Sequence, residues 1–435
     1  MEPRTQTVRA AALAPAVRLR PAPEIGAASD LKWDGLLLCV AGYILTSVGR
    51  VHQLFGVLEP LRPGIVTGLV AILMFLFDPL AERSTRHLAV PTTRFLIALL
   101  IWMLLSLAGA LNLGNAFEQV FDNFLKTVLM YVVVVSSVRG VRDVERLAFT
   151  YLAGAAIYSA VVMSRFEVGA GNSWRLGHLY YYDANDFATL AVTAIPLGLY
   201  FVLSARTTLV RLGAGLAIAV LIPGFLRSGS RGGFIAFVVV IGFMVLRYKG
   251  VPLRLRLLAT AFVVVAFLGF ATDKYWDQMT TIGSDTDYNM TEESGRINIW
   301  RRGVGYMLGN PIFGVGPNNF QVAEGTLSPF AARAQMGLGV RWNAAHNSYV
   351  QAGAELGIPG LLLFLAVIAS TLAALRRIGR HGNSALSSAL TASLLGFVVG
   401  AFFLSLAYSE MLYTLVALAI GLQKVTAWSP AAGGK

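Results

Sequence analysis

Among the stretches of this chain that lack Asp, Glu, Lys and Arg, five are strongly apolar and at least 18 residues long. They lie at 95–117, 147–164, 187–205, 356–375 and 382–409. Because a helix needs about 20 mostly apolar residues to cross the hydrocarbon core of a bilayer, each stretch predicts a membrane span. Only 13% of the residues are charged, about half the share that is typical of soluble domains. These features predict an all-α polytopic membrane protein.

Shorter uncharged runs, flanked by basic residues that can reach the membrane surface, raise the expected number of transmembrane helices to about twelve. The predicted helices are 33–52, 63–79, 94–112, 119–137, 146–165, 185–205, 211–227, 232–247, 255–272, 347–375, 384–406 and 409–424. The predicted organisation is a flexible tail at 1–32, helices 1–9 within 33–271, one large loop at 272–346, helices 10–12 within 347–424, and a second tail at 425–435.

The basic residues are distributed unevenly between the two sides of this predicted topology. With the N-terminus in the cytoplasm, 22 of the 35 Lys and Arg residues fall inside and 12 outside, and six of the outside residues lie in the long loop. This is the positive-inside pattern, and it predicts that both termini are cytoplasmic and that the loop lies on the opposite side. The net charge of +12 is therefore largely a topology signal, and no nucleic-acid-binding motif accompanies it.

The end of the long loop carries the strongest candidate for catalysis, within Ala-His-Asn-Ser-Tyr at 345–349. Asn347 or Ser348 can cap the helix that follows. His346 then stands just before a helix N-terminus, whose dipole opposes the charged imidazolium and favours a neutral ring that can accept a proton. The alternative is a structural histidine bonded to a backbone carbonyl. Pro359 predicts a kink further along the same helix.

Four arginines on the predicted outer side are candidates for holding phosphate oxygens, a task that suits the paired donors of guanidinium. They are Arg175, Arg227, Arg231 and Arg296. The alternative is that each one anchors the protein to lipid phosphates. Arg301 and Arg302 either add to this cluster or form the solvated face of a loop helix.

That loop helix is predicted to begin at Gly295-Arg296 and to end at Asn310-Pro311. Apolar residues at helical spacing predict the face that packs on the membrane domain or lies at the interface. They are Ile297, Trp300, Val304 and Met307.

Several other kinds of site are disfavoured by the sequence. The single cysteine, Cys39, excludes an intrachain disulfide and a thiolate metal cluster. The acidic residues between 285 and 293 do not have the spacing of a calcium loop, so no metal site is predicted. Phosphate-binding loops, zinc-protease motifs and hydrolase nucleophile elbows are absent from the sequence.

Three stretches, with a fourth and weaker one, resemble a known family. The three are 228–233; 295–300 continuing to 310–316; and 346–349 followed by 355–360, while the fourth is 183–188. Together with about twelve helices and one large late loop, they resemble the O-antigen ligase/polymerase superfamily of integral-membrane glycosyltransferases. The resemblance covers roughly residues 170–410.

The resemblance implies a GT-C-like membrane enzyme of the bacterial inner membrane with a periplasmic active site and no metal or other cofactor. Its donor would be a polysaccharide linked to undecaprenyl pyrophosphate, and for a ligase its acceptor would be lipid A–core oligosaccharide. It implies that His346 is the essential base and that Arg231, Arg296 and Arg175 bind the pyrophosphate. The supporting candidates are Arg227, Arg301, Arg302, Asn347, Asn185 and Tyr349.

Other functions stay open at this level. A polysaccharide polymerase of the same superfamily would share the donor chemistry. A glycolipid transporter or flippase would need ionisable residues along a path within the spans, and the sequence offers few: Asp122, Lys126 and Glu355. A non-catalytic membrane scaffold would leave the outer arginines without a role.

Overall fold

The computed structural model describes residues 32–80, 83, 85–165, 174–176, 179–284, 288–336, 342–380 and 384–427. Within these ranges the chain forms helices and turns and no β-strand, which confirms the predicted all-α class. Nearly all of the predicted tail at 1–32, most of the one at 425–435, and Asp285 and Asp287 of the acidic cluster lie outside the described residues.

The longer helices follow the predicted order along the chain. Before the long loop they are α1 Gly35–Ser47, α2 Pro63–Leu76, α3 Pro91–Leu105, α4 Leu113–Ser137, α5 Val141–Ser164, α6 Ala184–Ser204, α7 Thr208–Ser228, α8 Arg231–Leu246 and α9 Leu253–Phe270. The loop contains α10 Asp273–Thr280, α11 Arg296–Gly309 and α12 Phe320–Thr326, and after it come α13 Ser348–Ile378, α14 Ser384–Gly400 and α15 Glu410–Ala427.

Shorter elements connect these helices. The short helices are Val51–Leu54, Tyr288–Thr291 and Ala331–Gln335, and the 3₁₀ turns are Glu59–Leu61, Thr85–Leu88, Ser106–Gly109 and Ala401–Phe403. α4 includes a π-helical stretch at Glu118–Phe124. The helix predicted at 384–406 ends earlier than expected, so that residues 401–409, called the α14–α15 connection below, form a turn and an irregular segment.

Nine helices, counted over the described residues, are long and apolar enough to cross a membrane, which confirms a polytopic membrane fold. α1 and α8 are apolar but have 13 and 16 residues, about 20–24 Å at the rise of an α-helix. α15 carries Glu410 and Lys424 within its 18 residues. All twelve predicted helices are present, and for these three the crossing of the membrane stays a prediction.

α6 and α15 form the centre of the bundle. Every residue from Phe187 to Phe201 of α6 is buried, and the helix packs against α5, α7, α8 and α14. α15 is buried from Met411 to Leu422 and packs against α4, α13 and α14. A helix that is apolar on all sides is stable in this central position because its neighbours cover every face.

α11 lies across the beginning of α13 and buries a different face from the predicted one. Ile299, Gly303 and Tyr306 are its buried residues, whereas Val304 is 40% exposed. The difference arises because Gly303 permits a close approach of Val350 on α13, while the Tyr306 hydroxyl donates to Glu324 Oε1 at 2.7 Å. A glycine and a tyrosine were not part of the apolar pattern.

The predicted kink in α13 is present as a break in its backbone two residues before Pro359. Gly357 has φ 69° and ψ −172°, outside the helical region. Such a break leaves carbonyl and amide groups without partners in their own helix, and buried backbone groups need partners. The long loop supplies them: Val315 N–H donates to Ala354 O at 2.9 Å, and Gly316 N–H donates to Glu355 O at 3.0 Å.

A third bond runs in the opposite direction, since Ile358 N–H donates to Pro311 O at 2.9 Å. We call these three hydrogen bonds between 311–316 and 354–358 the backbone clamp. The side chain of Glu355 strengthens it, because its carboxylate accepts from Phe320 N–H at 3.2 Å and from the Tyr408 hydroxyl at 2.7 Å. The clamp joins the middle of the loop to the upper part of a membrane helix.

Glycines make the clamp possible. Gly314 and Gly357 both have positive φ. A Cβ on Gly314 would collide with the backbone of Glu355, and one on Gly357 would collide with the backbone of Ile312. We therefore expect Gly314→Ala and Gly357→Ala to destabilise the protein by more than the ~1–2 kcal/mol that left-handed backbone costs an L-residue. Thermal unfolding in detergent measures this effect.

Gly305→Ala is the matched control, because this glycine lies within α11 and has open space around its Cα. Alanine is favoured over glycine inside a helix by roughly 0.5–1 kcal/mol, so this variant should be at least as stable as the wild type. Equal unfolding temperatures for all three variants would contradict the clamp.

Candidate functional site

Three segments that carry the family resemblance meet at the α14–α15 connection. The His346 N–H donates to Ser405 Oγ at 2.8 Å, and the Trp300 ring lies edge-on to Phe402 with 5.2 Å between centroids. A Cβ on Gly232 would lie 2.7 Å from the Phe403 ring. The structure therefore brings the end of the loop, the beginning of α11 and the beginning of α8 to one place.

The segment around His346 is held firmly from both sides. Asn347 caps α13, as predicted, and its Oδ1 accepts from Tyr349 N–H at 2.9 Å and from Val350 N–H at 3.0 Å. The buried Ser348 hydroxyl donates to Leu404 O at 2.7 Å. His346 itself has φ 47°, an uncommon conformation for a residue other than glycine. The backbone position of His346 is thus determined by capping and by contacts with the α14–α15 connection.

The charge state of His346 follows from its surroundings. Burial is the largest cause that lowers the pKa of its imidazole below the ordinary value, and the positive charge of Arg296 lowers it further. The carboxylate of Asp183 acts in the opposite direction without reversing the shift. The imidazole is therefore neutral at neutral pH and able to accept a proton, as predicted, although burial rather than the helix dipole is the leading cause.

Arg296 is the first residue of α11, and Gly295 precedes it as the N-cap. One turn later the Trp300 indole N–H donates to Ala345 O at 3.1 Å, which ties the beginning of α11 to the residue before His346. This contact explains why the charge of Arg296 acts on His346.

Arg231 begins α8 in the same manner as Arg296 begins α11. The Ser230 hydroxyl caps the helix by accepting from Gly233 N–H at 3.1 Å. Arg231 Nη1 donates to Thr281 Oγ1 at 2.7 Å, which links α8 to the early part of the long loop. Since Gly232 adjoins Phe403, Arg231 stands next to the α14–α15 connection.

Arg175 and Arg227 each donate a hydrogen bond to a backbone carbonyl next to the other arginine. Arg175 Nε donates to Ser228 O at 2.9 Å, and Arg227 Nη1 donates to Trp174 O at 3.4 Å. Gly229, with φ 58°, permits the close approach of Arg175 at the end of α7. Both arginines therefore lie close in space to the beginning of α8, and Arg227 precedes it by four residues in the sequence.

The remaining predicted site residues have contacts of their own. Asn185 lies in the first turn of α6, where its N–H donates to Asp183 Oδ1 at 2.7 Å. The Tyr349 hydroxyl donates to Val398 O on α14 at 2.7 Å. Arg301 is exposed, whereas Arg302 is 12% exposed and forms two hydrogen bonds to the Glu324 carboxylate at 2.8 and 2.6 Å. Of the two alternatives for these residues, the exposed position describes Arg301, whereas Arg302 is engaged in a loop ion pair.

Two further residues of this region were not among the predicted site residues. Asp183 caps α6 and acts electrostatically on His346. Arg50 pairs with Glu410 at 2.9 Å. Its guanidinium also lies 3.5 Å from the centre of the Tyr181 ring, and Tyr181 is two residues before Asp183. The Asp-Ala-Asn-Asp pattern before α6 was a signal for Asp183, while Arg50 was concealed within the first predicted span.

The charge state of His346 can be tested without any substrate. Nuclear magnetic resonance of labelled histidines should give His346 a pKa below about 6.5, the ordinary value. Arg296→Gln removes a positive charge beside the ring, so the pKa should rise. Lys274→Gln removes the same charge from an exposed position on α10 and should leave it unchanged. A wild-type pKa at or above the ordinary value would contradict the described environment.

Comparison with known proteins gives one match. Residues 216–365 match the family model described as O-antigen ligase, and no curated protein matches the chain. The matched region begins within α7 and ends within α13, so it includes Arg231, Arg296, the backbone clamp and His346. The chain is therefore an α-helical, multi-pass membrane protein whose residues 216–365 are similar to the O-antigen ligase family.

Proposed function

We propose that this protein is a glycosyltransferase that moves O-antigen polysaccharide from undecaprenyl pyrophosphate to lipid A–core oligosaccharide. The observation that carries the proposal is a neutral, partly buried His346 beside Arg296, at the place where the three resembling segments meet. A proton acceptor next to a guanidinium suits a reaction in which a hydroxyl attacks and a pyrophosphate leaves. The family match supports this class of reaction.

In the proposed step, His346 accepts the proton of an acceptor hydroxyl as the hydroxyl oxygen forms a bond to the anomeric carbon of the donor sugar. The bond from that carbon to the pyrophosphate oxygen breaks on the opposite face, so the configuration inverts. Undecaprenyl pyrophosphate departs with the electron pair of that bond, and the imidazolium later releases its proton to solvent. A base whose neutral form prevails at the working pH is effective in such a transfer.

The proposed role of the arginines is to stabilise the charge that grows on the leaving pyrophosphate. Arg231 and Arg296 are the principal candidates, and Arg175 is a third. Both principal residues begin helices, so the positive ends of α8 and α11 add to the field of the guanidinium groups. Fixed donors of this kind stabilise developing negative charge and perform the task that a divalent cation has in many sugar-nucleotide enzymes.

The proposed location is the periplasmic face of the bacterial inner membrane, with both termini in the cytoplasm. The excess of Lys and Arg in the segments predicted to lie inside supports this orientation. Under the same orientation α1–α9 precede one periplasmic loop and α13–α15 follow it. The backbone clamp attaches that loop to α13.

The proposal predicts that His346→Ala lowers the rate of transfer by ~10²–10⁴-fold, the usual contribution of a positioned base. The assay uses purified protein, a donor linked to undecaprenyl pyrophosphate and purified lipid A–core. Lys274→Gln serves as the control and should retain the wild-type rate. Full transfer by His346→Ala would rule out the base role.

The acceptor is tested in the same assay. Lipid A–core is offered in one reaction and a second lipid-linked glycan in another. A ligase extends only the first, whereas growth of the second would identify a polysaccharide polymerase and overturn the proposed acceptor. Movement of glycolipid across a liposome membrane without any transfer would instead support a flippase.

A further inference from the structure

A polar cavity of about 490 Å³ lies in the long loop. It adjoins the side of α11 that carries Arg302, whereas Trp300 on the opposite side of α11 contacts the α14–α15 connection. Its walls include Glu293, Arg302, Glu324, Phe330 and Arg333. The volume falls within the roughly 300–1,000 Å³ that is typical of small-molecule sites. Its described lining contains neither the predicted base nor the predicted pyrophosphate arginines. It does contain Arg302, which was a supporting candidate.

The walls of the cavity are held in place by two ion pairs. Arg302 pairs with Glu324 at 2.6 Å, and Arg333 pairs with Glu293 at 2.9 Å. The guanidinium carbons of Arg302 and Arg333 lie 5.3 and 4.6 Å from the centre of the Phe330 ring. Planar polar groups in fixed positions around an aromatic ring are suited to hydrogen-bonding neighbouring hydroxyl groups of a ligand.

One buried hydroxyl at this cavity lacks a partner. Ser328 lines the cavity and is 6% exposed, and its Oγ has no hydrogen bond to any of the described residues. Buried polar groups are normally hydrogen-bonded, because an unpaired one costs free energy. Because this Oγ is itself buried, a movement of the Ser328 side chain would let a ligand hydroxyl in the cavity supply the missing partner.

The charges at the cavity indicate what kind of ligand it accepts. Among the described residues, its lining has three carboxylates, from Glu292, Glu293 and Glu324, and two guanidiniums, from Arg302 and Arg333. With both guanidiniums already paired, one carboxylate is in excess, which disfavours a phosphate or pyrophosphate. The favoured ligand is uncharged and rich in hydroxyl groups, as a saccharide is.

The cavity is close to His346. Asn343 lines it and precedes His346 by three residues, a separation that an extended chain spans in at most roughly 10–11 Å. The intervening segment has a contact near each end. The Trp342 ring packs against Gly325, where an added Cβ would lie 2.9 Å from it, and Ala345 O accepts a hydrogen bond from the Trp300 indole N–H. The Asn343 wall of the cavity therefore lies within roughly 10–11 Å of the His346 backbone.

We propose that this cavity binds the acceptor glycan, as uncharged hexose or heptose units that lead to the hydroxyl facing His346. This inference rests on the proposed function and adds a separate subsite to it. The arginines at the beginnings of α8 and α11 serve the donor pyrophosphate, while the acid-rich cavity on the other side of α11 serves the acceptor sugars.

The test measures binding directly with full-length protein in detergent. The probe is the lipid-free, dephosphorylated core oligosaccharide, titrated by calorimetry against wild type, Arg333→Gln, Asn343→Ala and the control Lys274→Gln. We expect both cavity variants to weaken binding at least fivefold and the control to bind as the wild type does. In the transfer assay, the same two variants should raise the KM for acceptor by a similar factor and leave the KM for donor unchanged.

The proposal is overturned if both Arg333→Gln and Asn343→Ala weaken binding less than fivefold. It is also overturned if the wild type does not bind the oligosaccharide at millimolar concentration. Inorganic pyrophosphate should not compete with the oligosaccharide, and competition for the same site would also overturn it. Unfolding temperatures show whether each variant is folded, and Glu293→Gln replaces Arg333→Gln if the latter is unstable. Absence of transfer by the wild type would contradict the proposed function and leave the binding result to decide the cavity.

Discussion

The structure depends on the backbone clamp between the long loop and α13. The break at Gly357 exposes backbone groups of a membrane helix, and residues 311–316 of the loop satisfy them. This arrangement fixes the middle of the loop against the bundle. The neighbouring loop helices are close to it in sequence: α11 ends at Gly309, two residues before the clamp, and α12 begins at Phe320, four residues after it. A loop attached only at its ends would have no such constraint.

The second constraint is electrostatic. Arg231 and Arg296 each stand at the beginning of a helix beside the α14–α15 connection. Burial is the largest cause that lowers the pKa of the nearby His346 imidazole, and the charge of Arg296 lowers it further. The Asp183 carboxylate opposes part of this effect. We infer that a site with a neutral base and cationic surroundings is prepared for an anionic leaving group. The acid-rich cavity on the far side of α11 has the opposite character, which separates two classes of ligand on one helix.

The sequence predicted the helices well, because uncharged runs of membrane length leave few alternatives. Local signals also predicted the beginning of α11 at Arg296 and the cap at Asn347 correctly. The backbone clamp was not predicted, since it depends on hydrogen bonds between distant segments that leave no pattern in side chains. The same limit applies to the partner of Arg302, which lies 22 residues away at Glu324.

The central claim is that the three converging segments form one site for the donor. An experimental structure with undecaprenyl pyrophosphate bound would test it most directly, through the distances from the phosphate oxygens to the guanidinium nitrogens of Arg231 and Arg296. We predict at least one charge-assisted contact of about 2.7–2.9 Å, with the His346 imidazole on the side that faces away from the lipid. A pyrophosphate bound out of reach of both arginines would contradict the account.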